Sequence, residues 1–363
     1  MKIGRVVSVL VWTLLLAPSF LSGQEACGPP GPLRIRDMTP PAVLTLGFMP
    51  SSASLIGKGR WGFESHYSLA NIFLMSDSVE RYLKDREVPT PLSPEDFQGI
   101  LDRASGDVFY FDGEIGLLTL GVHFGLTDRI QIFGEMPYFT FGGGSLDHAI
   151  MEFHDTFGIG QAGRDLVARD QYQVLMRFGD GVFSMADAPR DGFGDPTIGL
   201  RHSLPFFDGP WTAAMEWAVK PAVADEKAFL SNGHTDFGIQ FMLERHWRRG
   251  GLYLSASYVW LGNFDLADFS PADIPSLTVA YSHRLSSRVT AVVQGLVSGS
   301  IFSDETRSEL STVEYQMSFG VRFRTGPMIV SAALTENLVN FQNTPDIGFH
   351  LGLCYVLNSV GRN

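Results

Sequence analysis

From Trp61 onward the chain breaks into segments of about ten residues in which apolar and polar positions alternate with a period of two, the spacing of a strand with one buried face rather than of a helix. Trp211, Ala213, Met215, Trp217 and Val219 oppose Thr212, Ala214, Glu216, Ala218 and Lys220. Phe237, Ile239, Phe241 and Leu243 oppose Gly238, Gln240, Met242 and Glu244, and Tyr315, Met317, Phe319, Val321 and Phe323 oppose Gln316, Ser318, Gly320, Arg322 and Arg324. The closing segment repeats the pattern, with Phe349, Leu351, Leu353, Tyr355 and Leu357 on one side and Gly348, His350, Gly352, Cys354 and Val356 on the other. Each strand therefore has one greasy face and one wet face.

The connections alternate between tight turns and longer loops. Turns are read at 126–129, 179–181, 207–210, 248–251, 286–288 and 325–327, and loops at 74–107, 142–170, 185–193, 225–235, 262–275, 303–313 and 340–345. Short turns at one end and long loops at the other are the signature of an outer-membrane barrel. The predicted fold is all-β, a transmembrane antiparallel up-and-down β-barrel of about fourteen strands, or twelve, with periplasmic turns and extracellular loops. Its apolar faces meet lipid and its other faces line a lumen. A soluble two-sheet sandwich would also alternate, but it gives no reason for turn lengths to alternate as well. Trp61, Tyr138, Trp211, Trp247, Trp260 and Tyr281 stand near strand ends, where barrels carry aromatic girdles. Within the loops, Ser93-Pro94-Glu95-Asp96 predicts a capped helix running towards Asp102, and Leu146, Ile150, Phe153 and Phe157 make a stripe at helical spacing.

The N-terminus changes the compartment. Lys2 and Arg5 precede an apolar run from Val6 to Leu16 and then small and helix-breaking residues, so residues 1–23 read as an export signal cleaved after Gly23. Gln24 and Glu25 before Cys27 disfavour a lipoprotein reading. No other apolar run approaches the roughly 18 to 20 residues a spanning helix needs, so a membrane crossing has to be made by strands. Residues 24–58 form an N-terminal segment, rich in Pro and Gly but holding the apolar run Ala42 to Met49, with no strand partner. It is a candidate plug, ahead of a barrel at 59–357 and a tail at 358–363. As a plug it would bring Cys27 towards Cys354, which faces the lumen. Two cysteines make no disulfide framework, and a net charge of -12 without a basic stripe excludes nucleic acid as a partner.

The lumen-lining residues expected from the alternation are Glu64, His66, Glu135, Arg201, Glu216, Lys220, Glu244, Arg284, Arg322 and Arg324. A ring of one sign would mark an ion filter, whereas this mixture suits a neutral-solute channel or a lumen closed by ion pairs. Glu64, His66 and Ser68 share a face about 7 Å apart per step, too far for a nucleophile and its base, so a wet wall is the better reading. His148, Glu152, His154 and Asp155 on the loop helix read as a solvated face, because zinc wants a fuller ligand set. Asp187, Asp191 and Asp195, and Asp304, Glu305 and Glu309, could bind calcium as hard oxygen ligands or bridge through divalent ions to anionic lipid, but neither loop has EF-hand spacing, so they read as solvated loop carboxylates. No catalytic residue, cofactor or metal is assigned, and the chain is not expected to be an enzyme.

Two stretches carry a family resemblance. "GLTDRIQIFGEMPYFTFGGGSLDHAIMEFHDTFGIGQAGRD", from Gly125 to Asp165, and the closing "NFQNTPDIGFHLGLCYVL" resemble the proteobacterial family catalogued as domain of unknown function 3187. The likeness runs from "PLRIRD" onward and implies an outer-membrane-like barrel without importing an activity. The end also resembles the insertion signal of outer-membrane proteins, here His350, Gly352, Tyr355 and Leu357, although Asn358 to Asn363 follow where most such chains stop. These readings imply a bacterial outer-membrane location, with outer-membrane lipid and lipopolysaccharide, the barrel-assembly machinery and a small solute as partners. The expected function is passive transport of a small solute, an apolar one being suggested by the N-terminal segment. A closed structural or adhesive barrel acting through its loops is second, and a lipid-modifying enzyme third.

Overall fold

The computed structural model describes residues 31–158, 160–178, 181–205, 210–262, 271–302, 309–337 and 343–357. The export signal, Cys27 and the tail lie outside these residues, as do Asp304 and Glu305.

The wall begins with β1 (Trp61–Met75), β2 (Val108–Gly125) and β3 (Ile130–Gly142), and it resumes with β7 (Thr197–Leu204), β8 (Trp211–Lys220) and β9 (Asp236–Trp247). It continues through β10 (Gly250–Trp260), β11 (Ile274–Arg284), β12 (Val289–Ser298), β13 (Glu314–Thr325), β14 (Met328–Asn337) and β15 (Ile347–Leu357). Each pairs antiparallel with its neighbour, and β15 pairs with β1 from Trp61↔Leu357 to Asn71↔Ile347. The result is a closed twelve-strand barrel.

Of the two counts expected, fourteen and twelve, the barrel has twelve, with three short extra strands beside it. The strands on either side of 179–180, β4 (Gln173–Phe178) and β5 (Gly181–Met185), pair as a short hairpin, each far short of the roughly 9 to 11 residues a crossing needs. Instead β4 adds to the loop end of β2, at Val108↔Arg177 through Asp112↔Gln173. The short β6 (Gly192–Phe193) adds to β3 at Tyr138↔Phe193. Both strand ends of the chain and the short turns, such as Gly326-Pro327 with Gly326 in the left-handed region, lie at one end of the barrel. The long connections lie at the other.

Burial is inverted relative to a soluble barrel. Phe63, Leu120, Val122, Ile132, Val279, Val293, Phe319, Val321 and Leu351 point outward and exposed, while His66, Gln131, Glu216, Gln240, Glu244, Thr278 and Gln294 point inward and buried. Phe319 is 52% exposed whereas its neighbour Ser318 is 4% exposed and lies 2.7 Å from the Thr335 hydroxyl. Trp247 stacks on Tyr281 and Trp61 meets Phe124 at the turn end, while Phe237, Tyr258 and Trp260 cluster at the loop end. Phe237 and Trp247 are separated by ten residues of β9, about 33 Å along a strand, or roughly 23 Å across a bilayer at a tilt near 45°. That matches the apolar band of about 25 Å that such barrels carry.

Above the wall, helices Asp77–Lys84 and Pro94–Arg103 cover the outer face of the β1–β2–β4 extension through Val79, Leu83, Phe97 and Ile100. The second helix starts where its sequence predicts. Ser93 Oγ accepts from Asp96 N at 3.2 Å, and Asp96 Oδ2 accepts from Ser93 N at 2.8 Å, a complete capping box with Pro94 in the first turn.

Two outcomes test this description. Phe319→Arg places a charge against hydrocarbon at about 2 to 4 kcal/mol if near the midplane, so its folding yield into vesicles should fall well below that of Phe319→Leu; equal yields would refute the outward assignment. The second concerns Asp96. Burial pushes its carboxyl up, but the bonds from Ser93 and Tyr82 and the nearby Arg86 outweigh this and hold it below the ordinary 3.8. Its contribution to the cap is therefore complete above about pH 3.8 and is lost as pH falls through the lower folded value. Asp96→Ala should cost the helix about 1 kcal/mol at neutral pH, read as faster hydrogen exchange across 94–103, and this difference should vanish in strong acid.

Candidate functional site

Inside the barrel, residues 31–58 run as an irregular chain with one short 3-10 turn, Ala42–Leu44. Prolines 32, 40, 41 and 50 remove backbone donors that a strand would need, and the segment adds to no strand ladder of the wall. The wall's side chains satisfy its amides instead. Leu46 N donates to Asp236 Oδ2 at 2.9 Å, Ala53 N to Glu244 Oε2 at 3.0 Å and Ile56 N to Gln131 Oε1 at 3.2 Å. Ser52 and Ser54 hydroxyls donate to the same Glu244 carboxylate at 2.8 and 2.5 Å.

Charge fixes the centre of this arrangement. Arg34 Nε lies 3.0 Å from Glu64 Oε2, and an outer nitrogen of Arg34 lies 2.8 Å from Glu135 Oε1, so one guanidinium joins β1 and β3 from within. His66 Nε2 is 3.1 Å from Glu64 Oε2, His123 Nε2 is 3.5 Å from Glu64 Oε1, and His123 Nδ1 is 3.0 Å from Gln131. The Arg322 guanidinium donates to the carbonyls of Gly31 and Pro32. Two further pairs involve wall residues: Arg201 Nε to Glu216 Oε2 at 2.7 Å within the wall, and Lys220 Nζ of the wall to Asp195 Oδ2 of the connection before β7 at 2.8 Å. The other oxygen of Asp195 accepts from Val223 N and Ala224 N, both at 2.8 Å.

Eight of the ten predicted lumen residues thus face inward and take part in these contacts. The remaining two, Arg284 and Arg324, have the inward phase but stand at the turn-end rim, with Arg284 exposed and Arg324 half-buried. Asp195, expected on a solvated loop, is buried beside Lys220. Sequence reasoning missed Arg34, because nothing in "PLRIRD" marks a residue that will sit between two wall carboxylates. It also missed the partner of Ser68. The hydroxyl lies 2.8 Å from His350 Nδ1 across the β1–β15 seam, and His350 Nε2 lies 2.8 Å from Thr335 Oγ1. No carboxylate orients this imidazole, and the string continues to Ser318 as a hydrogen-bonded wall. Gly352 of the insertion signal also faces inward, whereas Tyr355 and Leu357 take the outward phase. Cys354 is disulfide-bonded; the chain's other cysteine, Cys27, lies outside the described residues.

Away from the lumen, His148 and Glu152 form an exposed pair at 3.3 Å. Among the described residues no group of three or more His, Cys, Asp or Glu is placed to hold a metal ion.

Cavities flank the segment among the described residues. One of about 100 Å³ lies towards the turn end between Arg34, Ser52, Glu64, His123, Arg201 and Arg322. Its lining mixes these polar groups with apolar ones such as Ile56 and Val356, and it has room for several waters. Smaller spaces of about 40 and 20 Å³ flank Leu46 and Val43. Towards the loop end the interior turns apolar, with Met38, Leu44, Phe139, Phe141, Phe178 and Phe302 in one cluster.

A closed sheet with a polar lumen and an apolar exterior defines an outer-membrane-type β-barrel. The chain belongs to the family described as Protein of unknown function (DUF3187), which matches residues 104–357. Comparison with curated proteins finds no match. Among solved structures the chain is similar to a Salmonella typhi OmpF complex with daunomycin, at 10% identity and TM-score 0.32, covering 82% of this chain and 97% of that one. It is similar to the P. putida toluene transporter TodX at 9% identity and TM-score 0.35, covering 82% and 88%. A TodX deltaS2S3 mutant, titled a monoaromatic hydrocarbon channel, matches at 9% identity and TM-score 0.39, covering 89% and 98%.

Removing the Arg34 charge would leave Glu64 and Glu135 buried without it, a loss of about 3 to 5 kcal/mol for a broken buried pair. Arg34→Met should therefore speed hydrogen exchange across residues 31–58 much more than Arg34→Lys does. Equal exchange in wild type and Arg34→Met would mean that this cluster does not seat the segment.

Proposed function

We propose that this chain is a plugged outer-membrane channel for a small solute, in which the N-terminal segment closes the lumen and has to shift for passage. The observation carrying this reading is the way residues 31–58 are held. They run through the lumen and join no strand ladder, and they are seated by side-chain contacts around a cavity lined by Arg34, Glu64 and His123. A barrel needs far fewer strands than twelve to be filled by its own side chains. A wide lumen stopped by a separable segment suits a conduit better than a solid scaffold.

The chemistry along the axis favours a small solute with apolar character. A phenylalanine-rich interior at the loop end would take such a molecule from outside, and the polar groups of the turn-end cavity would offer it hydrogen bonds on the way to the periplasm. The proposed orientation places both chain ends on the periplasmic side after signal cleavage. We propose no enzymatic step. The second reading, a closed barrel acting through its loops, is favoured by the small size of the cavities.

Single-channel recording decides between the two readings. Deleting residues 31–55, with retained barrel folding checked by heat-modifiable gel mobility, should raise conductance in planar bilayers several-fold. A folded deletion with unchanged conductance would overturn the plug and favour the closed scaffold.

A further inference from the structure

At the seam between the N-terminal segment and the wall two acidic side chains meet, and among the described residues neither forms a salt bridge. Asp37 belongs to the segment and Glu314 opens β13, and the two carboxylates lie against each other. Asp37 Oδ1 accepts three bonds, from Thr39 N at 2.9 Å, Thr39 Oγ1 at 2.8 Å and Gln316 Nε2 at 3.0 Å. Three donors therefore converge on one carboxyl oxygen of Asp37. Glu314 is only 2% exposed, and its Oε2 is buried without a hydrogen-bond donor. Among the described residues, the side chains that bear on it are Asp37 and Thr39. Arg36 interacts with the Asp37 charge, but its guanidinium donates to the carbonyls of Ala42 and Thr45.

A second, neutral acceptor stands at the same corner. Asn343, 1% exposed in the connection between β14 and β15, gives its Nδ2 to the Thr312 carbonyl at 2.6 Å, two residues before Glu314. Its backbone carbonyl lies 3.3 Å from Thr39 Oγ1, the hydroxyl that also meets Asp37. This leaves Asn343 Oδ1 buried with no donor.

We propose that Asp37, Glu314 and Asn343 bind a hard divalent cation of the calcium class, which fastens the N-terminal segment to the wall. Facing buried carboxylates without a cation are costly, and an amide oxygen with two carboxylates is an oxygen donor set that calcium accepts in flexible geometry. Magnesium fits less well because it demands near-octahedral geometry and gives up its waters reluctantly. A proton shared by the two carboxylates would relieve their repulsion but would leave Asn343 Oδ1 bare. The cation satisfies all three groups and links three parts of the chain that are distant in sequence. The inference stands whether or not the segment gates a solute.

Full-length protein, folded in detergent free of lipopolysaccharide and stripped with EDTA, tests the site by calorimetric titration with calcium chloride. Wild type should take up one more calcium ion than Glu314→Gln or Asp37→Asn, and calcium should raise the unfolding temperature of wild type but not of either variant. Asn343→Asp, which adds ligand charge, should tighten the site by about tenfold or more and serves if a carboxylate variant fails to fold. Equal stoichiometry in wild type and Glu314→Gln, or unchanged affinity in Asn343→Asp, would overturn the proposal. So would a wild type that takes up no calcium while Glu314→Gln is the more heat-stable in EDTA, the result a shared proton gives.

Discussion

A sheet that crosses hydrocarbon cannot have an edge, because each unpaired backbone group there costs several kcal/mol. Everything else in this molecule is arranged around the seam where the last strand meets the first. Eleven register pairs, from Trp61↔Leu357 to Asn71↔Ile347, join β1 to β15. The inner face of that seam explains why glycine and histidine interrupt the closing strand. A side chain at Gly352 would run into the Ser331 hydroxyl and the His66 ring, so the small residue lets His66 reach Glu64. His350 in turn bridges Ser68 and Thr335, tying three strands together on the wet side while Phe349 and Leu351 face outward.

Closing twelve strands creates a second problem, since the lumen is too wide for the wall's own side chains to fill. The wall faces inward with Glu64, Glu135, Glu216, Asp236 and Glu244, and each carboxylate must find partners if water is displaced. Arg201 and Lys220 answer for part of this from within the wall, and the rest falls to the N-terminal segment. Arg34 serves two carboxylates, and the amides freed by the segment's irregular path serve Asp236 and Glu244. The absence of a strand ladder is thus what makes the segment a good partner for a charged wall, because its backbone donors remain available to side chains.

The wall was legible in the sequence because alternation has only one period to fit, and each long strand carried enough repeats to fix its phase. Phe319 outward and Gln316 inward needed no further information. The strand count was less legible, since β4 and β5 are apolar enough to read as wall strands and their length is what shows that they cannot cross. The site was half legible. Inward wall residues such as Glu216 and Lys220 follow from phase, but their partners do not, because Arg34 and Asp195 sit in irregular chain where no periodicity says which way a side chain points. Ser318 shows the same limit: its inward phase was right, yet the water expected beside it is displaced by contacts the pattern does not encode.

Where the membrane ends is written in the same phase. On β1 and β2 the outward positions Phe63, Leu120 and Val122 are apolar and exposed, and then the outward positions Asn71, Asp112 and Glu114 turn polar and buried. The register does not slip between them, so the change lies in the surroundings rather than in the strand. Arg164 stacks on Phe73, another outward residue, and bonds to Asp147, Asp346 and Asn71. Ser145 and Leu146 N bond to Glu114. Lipid could not satisfy this cluster, so the hydrocarbon has to stop below it. From that level upward the outer face of the same two strands is packed by loop and helix, which is how one continuous sheet serves as membrane wall below and as the core of a protein cap above.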